Sequence, residues 1–327
     1  MKKWSHVLSA AILTVGICLG YGQEAQAMVG GKPVIGISWK SPKQAKSYEA
    51  FKKIITMAGG IPVELDQIKS TDVTYAADGT VDKAYVEPSG MLKQAYADKI
   101  RHDGFERTNI QTVMQGIDGV FGTGGEDISP SLYKVPETEK NHGETINAAR
   151  DISDYALQDY CRRHDIPVLN VCRSEQMMGI VYGVTFIQDI PDYYKTQGVK
   201  AYKEIHRMAP GTPNRDYTHH AIRILPVNSK LRSIVGDDTF DKVSSWHHQN
   251  ILSVAGTGLI QTAEYTDQGL SLVEGVEDPH RKFAVGLQFH PENDIKQVVL
   301  NHKDPKGYAD VDICLAFFRA LIAASQK

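Results

Sequence analysis

Three features of this 327-residue sequence predict a three-layer α/β/α fold with a mainly parallel central sheet and a β-rich C-terminal part. Short apolar runs alternate with helical patterns in the first half of the chain, as in β-α-β units, whose strands are parallel. Beyond Gly183 the apolar runs become β-like and follow one another closely. The composition, 42% apolar and 23% charged, is ordinary for a globular protein with a core.

The first β-α-β unit begins with an apolar strand at residues 32–38 and returns in a second strand at residues 61–65. Between them, Ser47 can cap a helix whose apolar residues recur at helical spacing and which ends at Gly59-Gly60. A helix that joins two neighbouring strands makes the pair parallel.

Residues 67–107 interrupt this pattern. They are polar and weakly periodic, with turn signals at Asp78-Gly79 and Pro88-Ser89-Gly90. About 40 residues is far above the usual length of a connection. We predict an insertion with a short helix around residues 91–100, and we hypothesise that it is a lid or an oligomer contact.

The α/β pattern resumes after the insertion. A strand at residues 117–122 ends in the glycine turn Thr123-Gly124-Gly125, and a strand at residues 166–171 ends at Cys172. Such strand ends are where parallel α/β sheets hold ligands. The other predicted elements are helices at 109–115, 148–164, 173–181 and 311–324, and strands at 221–226, 242–246, 259–265, 270–276 and 283–288.

The N-terminal 27 residues have the pattern of a secretory signal peptide. Lys2 and Lys3 precede a nearly continuous apolar run at residues 7–20, and Ala25-Gln26-Ala27 is a small-x-small cleavage site. The run is shorter than the ~20 residues that span a bilayer. We predict cleavage after Ala27, one domain over residues 28–327, a periplasmic or secreted location, and no membrane span after cleavage.

Charge and cysteine content narrow the function. The formal net charge of −3 gives nucleic-acid binding no electrostatic support. Loss of Cys18 with the signal leaves three cysteines, so at least one thiol stays free in a compartment that favours disulfides. Cys161 and Cys314 lie on apolar faces of predicted helices, which leaves Cys172 as the candidate reactive thiol.

Cys172 stands at a tight strand-to-helix turn, where a nucleophile is exposed and free backbone N–H groups can bind an oxyanion. By itself, a cysteine at a strand end is more often a packing residue. His290, however, follows another apolar strand, and Glu292 follows two residues later. A cysteine nucleophile needs a base, and the base needs an orienting acceptor, so the three residues together favour catalysis.

The adjacent histidines of His247-His248-Gln249 and of His219-His220 invite a metal interpretation. Successive strand residues point to opposite faces, and no carboxylate or cysteine stands nearby at ligand spacing. We therefore predict no metal site and assign these residues to substrate contacts or structural hydrogen bonds. Gly124-Gly125 lacks the phosphate-binding patterns, but it offers a second backbone N–H to an oxyanion.

In this order, the motifs resemble the class I glutamine amidotransferase-like superfamily, and within it the gamma-glutamyl hydrolase and gamma-glutamyl-gamma-aminobutyrate hydrolase type, peptidase family C26. The resemblance covers the chain after the signal except residues 67–107. The segments that carry it are Pro33-Val34-Ile35-Gly36-Ile37, Ala58-Gly59-Gly60-Ile61-Pro62, Gly124-Gly125-Glu126-Asp127-Ile128, Ile166-Pro167-Val168-Leu169, Cys172-Arg173, Gln188-Asp189-Ile190, His247-His248-Gln249 and Gln288-Phe289-His290-Pro291-Glu292.

The resemblance implies a flavodoxin-like sheet and hydrolysis of a gamma-glutamyl amide through a thioester, with no cofactor. It implies that Cys172 is the nucleophile, His290 the base and Glu292 its orienting acid. The implied oxyanion donors are the backbone N–H groups of Gly125 and Arg173. The implied substrate-binding residues are Gln176, His247, His248 and Gln249. The partner is then a small gamma-glutamyl substrate, and homo-oligomer formation stays open.

One departure from the family pattern bears on activity. The nucleophile turn of the family usually reads Gly-x-Cys-x-Gly, whereas this chain has Asn170 and Ser174 in place of the two glycines. Two alternatives therefore stay open: an impaired or non-catalytic binding protein on the same fold, and a glutaminase subunit that feeds ammonia to a partner synthase. The export pattern argues against the second, because such synthases work in the cytoplasm.

Overall fold

The computed structural model describes residues 31–40, 45–134, 146–199, 202–203 and 205–327. The predicted signal peptide and its cleavage site lie outside the described residues. Within the described ranges, no helix has both the length and the apolarity needed to cross a membrane.

The described chain alternates strands and helices in its first half and is dominated by strands in its second. The strands are β1 (Val34–Ile37), β2 (Ile61–Glu64), β3 (Gly119–Gly122), β4 (Val168–Val171), β5 (Thr185–Ile187), β6 (Thr218–Ile224), β7 (Thr239–Ser245), β8 (Asn250–Ser253), β9 (Ile260–Asp267), β10 (Leu270–Glu277) and β11 (Ala284–Leu287). The helices are α1 (Ala45–Ala58), α2 (Gln94–Asp103), α3 (Ile110–Val113), α4 (Ala148–His164), α5 (Arg173–Tyr182), α6 (Ile190–Thr196), α7 (Lys230–Val235), α8 (Pro291–Ile295) and α9 (Val311–Ala324).

Nine strands form one sheet in the order β2-β1-β3-β4-β11-β10-β9-β6-β7. The first five pair in parallel and are called the parallel half. The last four, β10, β9, β6 and β7, pair antiparallel and are called the antiparallel half. The predicted fold class is confirmed. The C-terminal strand β11 belongs to the parallel half, because it inserts beside β4.

Helices cover both faces of the parallel half. Phe121 and Leu169 point into a core shared with apolar residues of α1 and α9. Val120 and Val168, the preceding residues on the same two strands, point to the opposite side and pack with α3, α4 and α5. This alternation, with both faces apolar, is what a doubly covered parallel sheet requires.

The predicted insertion folds onto α4. Its three isolated bridges, Ser70 with Thr108, Tyr75 with Val81 and Val86 with Leu92, hold an irregular chain together. Its helix α2 lies three residues later than predicted. Leu92, Ala97 and Ile100 pack in one apolar cluster with residues of α4. None of the described residues lining the pocket that contains Cys172 comes from this segment.

The predicted elements are found within a few residues of their expected limits, and α4 and α9 match them fully. One detail is wrong: α1 begins at Ala45, so Ser47 lies in its first turn and does not cap it. Five short elements were not predicted: β5, β8, α6, α7 and α8. Each has only three to seven residues, and none stands in one of the apolar or periodic runs on which the predictions rested.

Candidate active site

Cys172 occupies a strained turn between β4 and α5. Its backbone has φ +50° and ψ −112°, a conformation that costs free energy for any residue with a side chain. The hydrogen bond from its N–H to the Leu287 carbonyl, 2.7 Å long, fixes the turn to β11. The Cys172 thiol is 3.7 Å from the Trp246 carbonyl oxygen, to which it donates. This is the geometry of a nucleophile elbow.

The two residues that replace the family glycines are accommodated by a third glycine. A Cβ added to Gly122 on β3 would lie 2.3 Å from Asn170 Oδ1 and 2.7 Å from Ser174 Cβ, so both side chains occupy the space that it leaves. Asn170 exchanges two hydrogen bonds with Gln158, and the Ser174 hydroxyl donates to the Thr123 carbonyl. The turn therefore keeps its strained conformation with Asn and Ser in place.

His290 lies beside Cys172 and is oriented by Glu292. The His290 Nδ1–H donates to Glu292 Oε1 at 2.6 Å, while Nε2 is buried and has no hydrogen-bond partner among the described residues. A Cβ on Gly124 would approach His290 Cε1 at 2.8 Å and Cys172 Cβ at 3.5 Å. The side chains of His290 and Cys172 therefore both contact Gly124. They can approach each other because this residue has no side chain.

The electrostatics around His290 favour its protonated form. Burial alone would lower the pKa of His290, but the acidic groups of Tyr217, Glu292 and Cys172 outweigh it and hold that pKa well above its usual range. The Tyr217 ring stands edge-on to the imidazole, with 5.0 Å between ring centroids. An imidazole in this position can take a proton from the thiol and keep it.

Position 125 needs a glycine because a buried arginine occupies the space beside it. A Cβ there would lie 1.9 Å from Arg150 Nη1, so a side chain cannot be added without moving the guanidinium. The backbone N–H groups of Gly125 and Arg173 donate to no acceptor in the described parts of the chain. Free N–H groups in two loops on either side of a nucleophile are what oxyanion binding needs.

Two buried arginines join these loops. Arg150 binds Glu126 at 2.6 Å and donates to the Gly124 carbonyl at 2.8 Å. The Arg173 side chain donates to the Glu126 carbonyl at 2.6 Å and to Asp151 at 2.6 Å. Although burial opposes it, the two guanidinium groups lower the pKa of Glu126 to about 2. This network fixes the loop after β3 against the start of α5.

The pocket has a narrow part and a wide part that meet at Cys172. The narrow part, called the recess, has a volume of about 40 Å³, and the wide part, called the cleft, about 550 Å³. Gly125, Cys172 and Trp246 line both. The recess is also lined by Glu126, Asp127, Gln176, Arg207, His247, His248 and Gln249. The cleft is also lined by Ser47, Phe51, Gly124, Tyr217, His290 and Glu292.

Every predicted site residue except Arg173 therefore lines the recess or the cleft. His248 bridges Asp189 and Asp127, with 3.0 Å from each ring nitrogen to a carboxylate oxygen. Burial opposes its protonation, but these two hydrogen bonds raise the pKa of His248. Gln176 donates to the Gln249 carbonyl and to the Gln288 side chain.

The predicted site left out several residues of the pocket, among them Arg207, Trp246 and Tyr217. Arg207 is 2% exposed and stands in an irregular segment with no periodic pattern. Trp246 precedes the histidine pair and packs under Arg215, whose guanidinium is 4.9 Å from the ring. Adjacency to His247 was a usable signal for Trp246, whereas nothing local in the sequence distinguishes Arg207 from a surface arginine.

The other two cysteines in the described part of the chain are core residues. Cys161 lies on the buried face of α4 and Cys314 on the buried face of α9, and both are free thiols. Burial raises the pKa of each thiol well above its usual range. Of the three described cysteines, only Cys172 lines the pocket.

A strained cysteine at the end of a central parallel strand, with a histidine and an acid after the neighbouring strand, defines a glutamine amidotransferase-like hydrolase. The peptidase C26 family model matches residues 99–292, and the chain belongs to this family. The family that the sequence motifs resemble is thereby confirmed.

Curated relatives are similar over most of their length. Protein NtpR of Enterococcus hirae is 32% identical over 241 residues, which cover 73% of this chain and 90% of that protein. The glutamine amidotransferase-like protein RP404 of Rickettsia prowazekii is 28% identical over 280 residues, with the same two coverages. Among solved structures, the acivicin-bound glutaminase domain of Trypanosoma brucei CTPS gives a TM-score of 0.46 at 16% identity, covering 88% of this chain and 93% of that one.

Proposed function

We propose that this protein is an exported cysteine hydrolase that cleaves gamma-glutamyl amide bonds and releases glutamate. One observation carries the proposal: Cys172 stands where a narrow recess with charges of both signs opens into a wide, largely uncharged cleft. A substrate with a small zwitterionic head and a larger leaving group would place its scissile bond at that junction. The apolar run and small-x-small site at the N-terminus support export.

The recess suits the head of a glutamyl group. Arg207 supplies a guanidinium, which matches a carboxylate, and Asp127 supplies a carboxylate, which matches an ammonium group. Gln176 retains an acceptor oxygen beside them. Together they would hold both charges of an α-amino acid and leave its side-chain amide pointing at Cys172.

The reaction follows from the positions of three side chains. The Cys172 thiol gives its proton to His290 Nε2 and attacks the γ-carbonyl carbon. The oxyanion accepts hydrogen bonds from the N–H groups of Gly125 and Arg173. Cleavage of the C–N bond sends the proton from His290 to the amine and leaves a thioester. Water then gives a proton to His290, attacks the thioester, and releases glutamate and the thiol. Glu292 keeps the His290 ring in the required tautomer throughout.

The lining of the cleft indicates which leaving groups the site favours. Of the described residues that line it, none is a lysine or arginine, and its walls include the aromatic rings of Phe51, Tyr217 and Trp246. Apart from His290, whose charge Glu292 balances, such a cleft has no positive charge for a polyanion. We therefore expect a neutral or cationic amine to leave faster than a chain of further glutamates.

The test is amine release from a panel of gamma-glutamyl compounds: a neutral alkylamide, gamma-glutamyl-gamma-aminobutyrate, gamma-glutamyl peptides, short poly-gamma-glutamate and glutamine. We expect release by the wild type and loss of at least about 10⁴-fold in Cys172→Ala. Cys161→Ala is the matched control, because it removes a free thiol in the core under α4. Release from none of the compounds would contradict the proposal, and release from glutamine alone would favour a glutaminase.

A further inference from the structure

A second group of chemically active side chains lies within the antiparallel half, apart from the Cys172 thiol. His220 on β6, Glu274 on β10, His247 after β7 and His206 from the segment before β6 converge on one point. Their candidate ligand atoms all lie within 4.8 Å of one another. The segments are up to 68 positions apart in sequence, so only the fold brings them together.

These side chains are buried and their polar atoms are unsatisfied. No side chain of the four is more than about a tenth exposed. His206 Nδ1 and Nε2, the Nε2 atoms of His220 and His247, and both Glu274 carboxylate oxygens have no hydrogen-bond partner among the described residues. Buried polar atoms without a hydrogen-bond partner destabilise a fold, and native proteins rarely leave six of them together without a bound ion or water.

The spacing of the atoms fits one small cation. Glu274 Oε1 lies 3.3 Å from His206 Nδ1, 3.7 Å from His220 Nε2 and 3.8 Å from His247 Nε2. Zinc bonds of about 2.0–2.1 Å in a tetrahedron put neighbouring ligand atoms about 3.3 Å apart. The three distances to Glu274 are thus at most about half an ångström longer than in a four-coordinate zinc shell. Other pairs of ligand atoms lie up to 4.8 Å apart, so the side chains would have to close by up to about 1.5 Å around the ion.

The outer contacts also match those of metal-binding histidines. The His247 Nδ1 faces the Gln249 carbonyl at 3.0 Å, and the His220 Nδ1 faces the Ala221 carbonyl at 3.2 Å. A ring N–H donated to a carbonyl fixes the tautomer that leaves Nε2 free for a metal.

We propose that His206, His220, His247 and Glu274 bind one divalent transition-metal ion, of the chemistry of Zn²⁺, in a closed four-ligand structural site. Three imidazoles and a carboxylate suit zinc, and with four protein ligands no position stays open for catalysis. The neighbours of His247-His248 in sequence include no set of metal ligands. The two side chains do diverge, since His248 faces Asp127 and Asp189, but the partners of His247 come from other segments.

Such an ion would fasten the segment that forms the wall of the recess. The His247 N–H donates to the His206 carbonyl at 2.9 Å, and Trp246, the preceding residue, accepts the Cys172 thiol hydrogen bond. The ion would thus link β6, β10 and the segment before β6 to the turn after β7. Its role is to hold this wall in place rather than to touch the substrate.

The experiment measures metal directly, so it is independent of any gamma-glutamyl activity. The untagged protein is purified and its metal content measured. After treatment with a chelator, the protein is titrated with Zn²⁺ and with Co²⁺. We expect one ion per chain, a Tm that falls on chelation and recovers on zinc addition, and the intense visible absorption of tetrahedral Co²⁺. Glu274→Gln and His220→Ala should each weaken Zn²⁺ affinity by at least about 100-fold, beyond the effect of losing an orienting group.

His102→Ala is the matched control, because its imidazole is 87% exposed on α2. It should bind zinc as the wild type does. If a ligand variant fails to fold, the Co²⁺ spectrum of the wild type still decides. Absence of one-to-one binding by the folded, chelator-treated protein, or wild-type affinity in folded Glu274→Gln and His220→Ala, would overturn the proposal.

Discussion

The two halves of the sheet carry their polar groups in opposite ways. In the parallel half, Cys172 and His290 stand just beyond strand ends, where they line a pocket open to solvent. In the antiparallel half, His220 and Glu274 lie within the strands, where they are buried with unsatisfied atoms. Strand ends of a parallel sheet offer free backbone N–H groups and room for a substrate. The interior of an antiparallel sheet offers neither, and buried polar groups there need a partner.

The halves meet at the turn that carries His290, the proposed base. The His290 N–H donates to the Ser244 carbonyl of β7 at 2.8 Å, although β7 is four strands away from β11 in the sheet. The antiparallel half therefore curls back over the strand ends of the parallel half. Asp294 in α8 strengthens this junction, because it accepts from the Ser244 hydroxyl at 2.7 Å. The geometry of the proposed active site depends on both halves.

We expect the largest effect from His290→Ala. This substitution should also separate the functions of the two halves most clearly, because it should change hydrolysis and leave metal binding unchanged. Without a base the thiol cannot pass on its proton, so hydrolysis should fall by about 10⁴-fold or more. The metal content should stay at the wild-type value, because His290 is not among the four proposed ligands. The measurement pairs amine release with metal analysis on the same sample. Loss of both together would show that the halves do not function separately.

The functional residues of the parallel half were easier to predict from the sequence than those of the antiparallel half, for a physical reason. Cys172 ends an apolar strand, and His290 and Glu292 follow another, so each signal is local and strand periodicity exposes it. His206 and Glu274 show no such signal, because a buried histidine or glutamate looks like any polar residue until distant segments are brought together. Arg207 was missed for the same reason. The sequence did show that Asn170 and Ser174 replace the two glycines of the nucleophile turn. It did not show that Gly122 makes room for both side chains.

A smaller effect is expected when the proposed oxyanion loop, which contains Gly125, is disturbed through its packing alone. In Gly125→Ala the new methyl group would lie 1.9 Å from Arg150 Nη1, so the loop or the guanidinium must move. We expect kcat to fall by about 10²–10³-fold, the usual result of losing one oxyanion donor. Gly307→Ala is the control, since nothing lies within 4 Å of its added Cβ. Equal kcat values for the two variants would remove Gly125 from the proposed site.

Charge in the recess should govern substrate affinity. Arg207→Leu removes the guanidinium proposed to bind the α-carboxylate, and hydrogen bonds to charged groups contribute about 1.5–3 kcal/mol. We expect KM to rise by roughly 10–100-fold with a smaller change in kcat. The comparison is Arg223→Leu, an arginine on β6 that pairs with Glu264 outside the pocket. A rise in KM of the same size for a substrate without an α-carboxylate would contradict the assigned contact.

The junction between the halves supplies the last and smallest prediction. Burial raises the pKa of Asp294 to about 7 from an ordinary value of 3.8, so the folded protein keeps a proton that the unfolded chain releases. The stability that this proton gives is fully present below about pH 4 and is lost as the pH rises to about 7. Asp294→Asn mimics the protonated acid and escapes that loss.

The free energy of unfolding of Asp294→Asn, measured relative to that of the wild type, should therefore rise between pH 4 and pH 7 by at most about 4 kcal/mol. Denaturant unfolding of both proteins at several pH values measures the difference. Asp98→Asn on the exposed side of α2 should show no such trend. A difference between Asp294→Asn and the wild type that is constant, or largest in acid, would mean that Asp294 is charged when it holds Ser244. The hydrogen bond from the Ser244 hydroxyl would then be charge-assisted, and the turn that carries His290 would be held to the antiparallel half by a carboxylate rather than by a neutral carboxyl group.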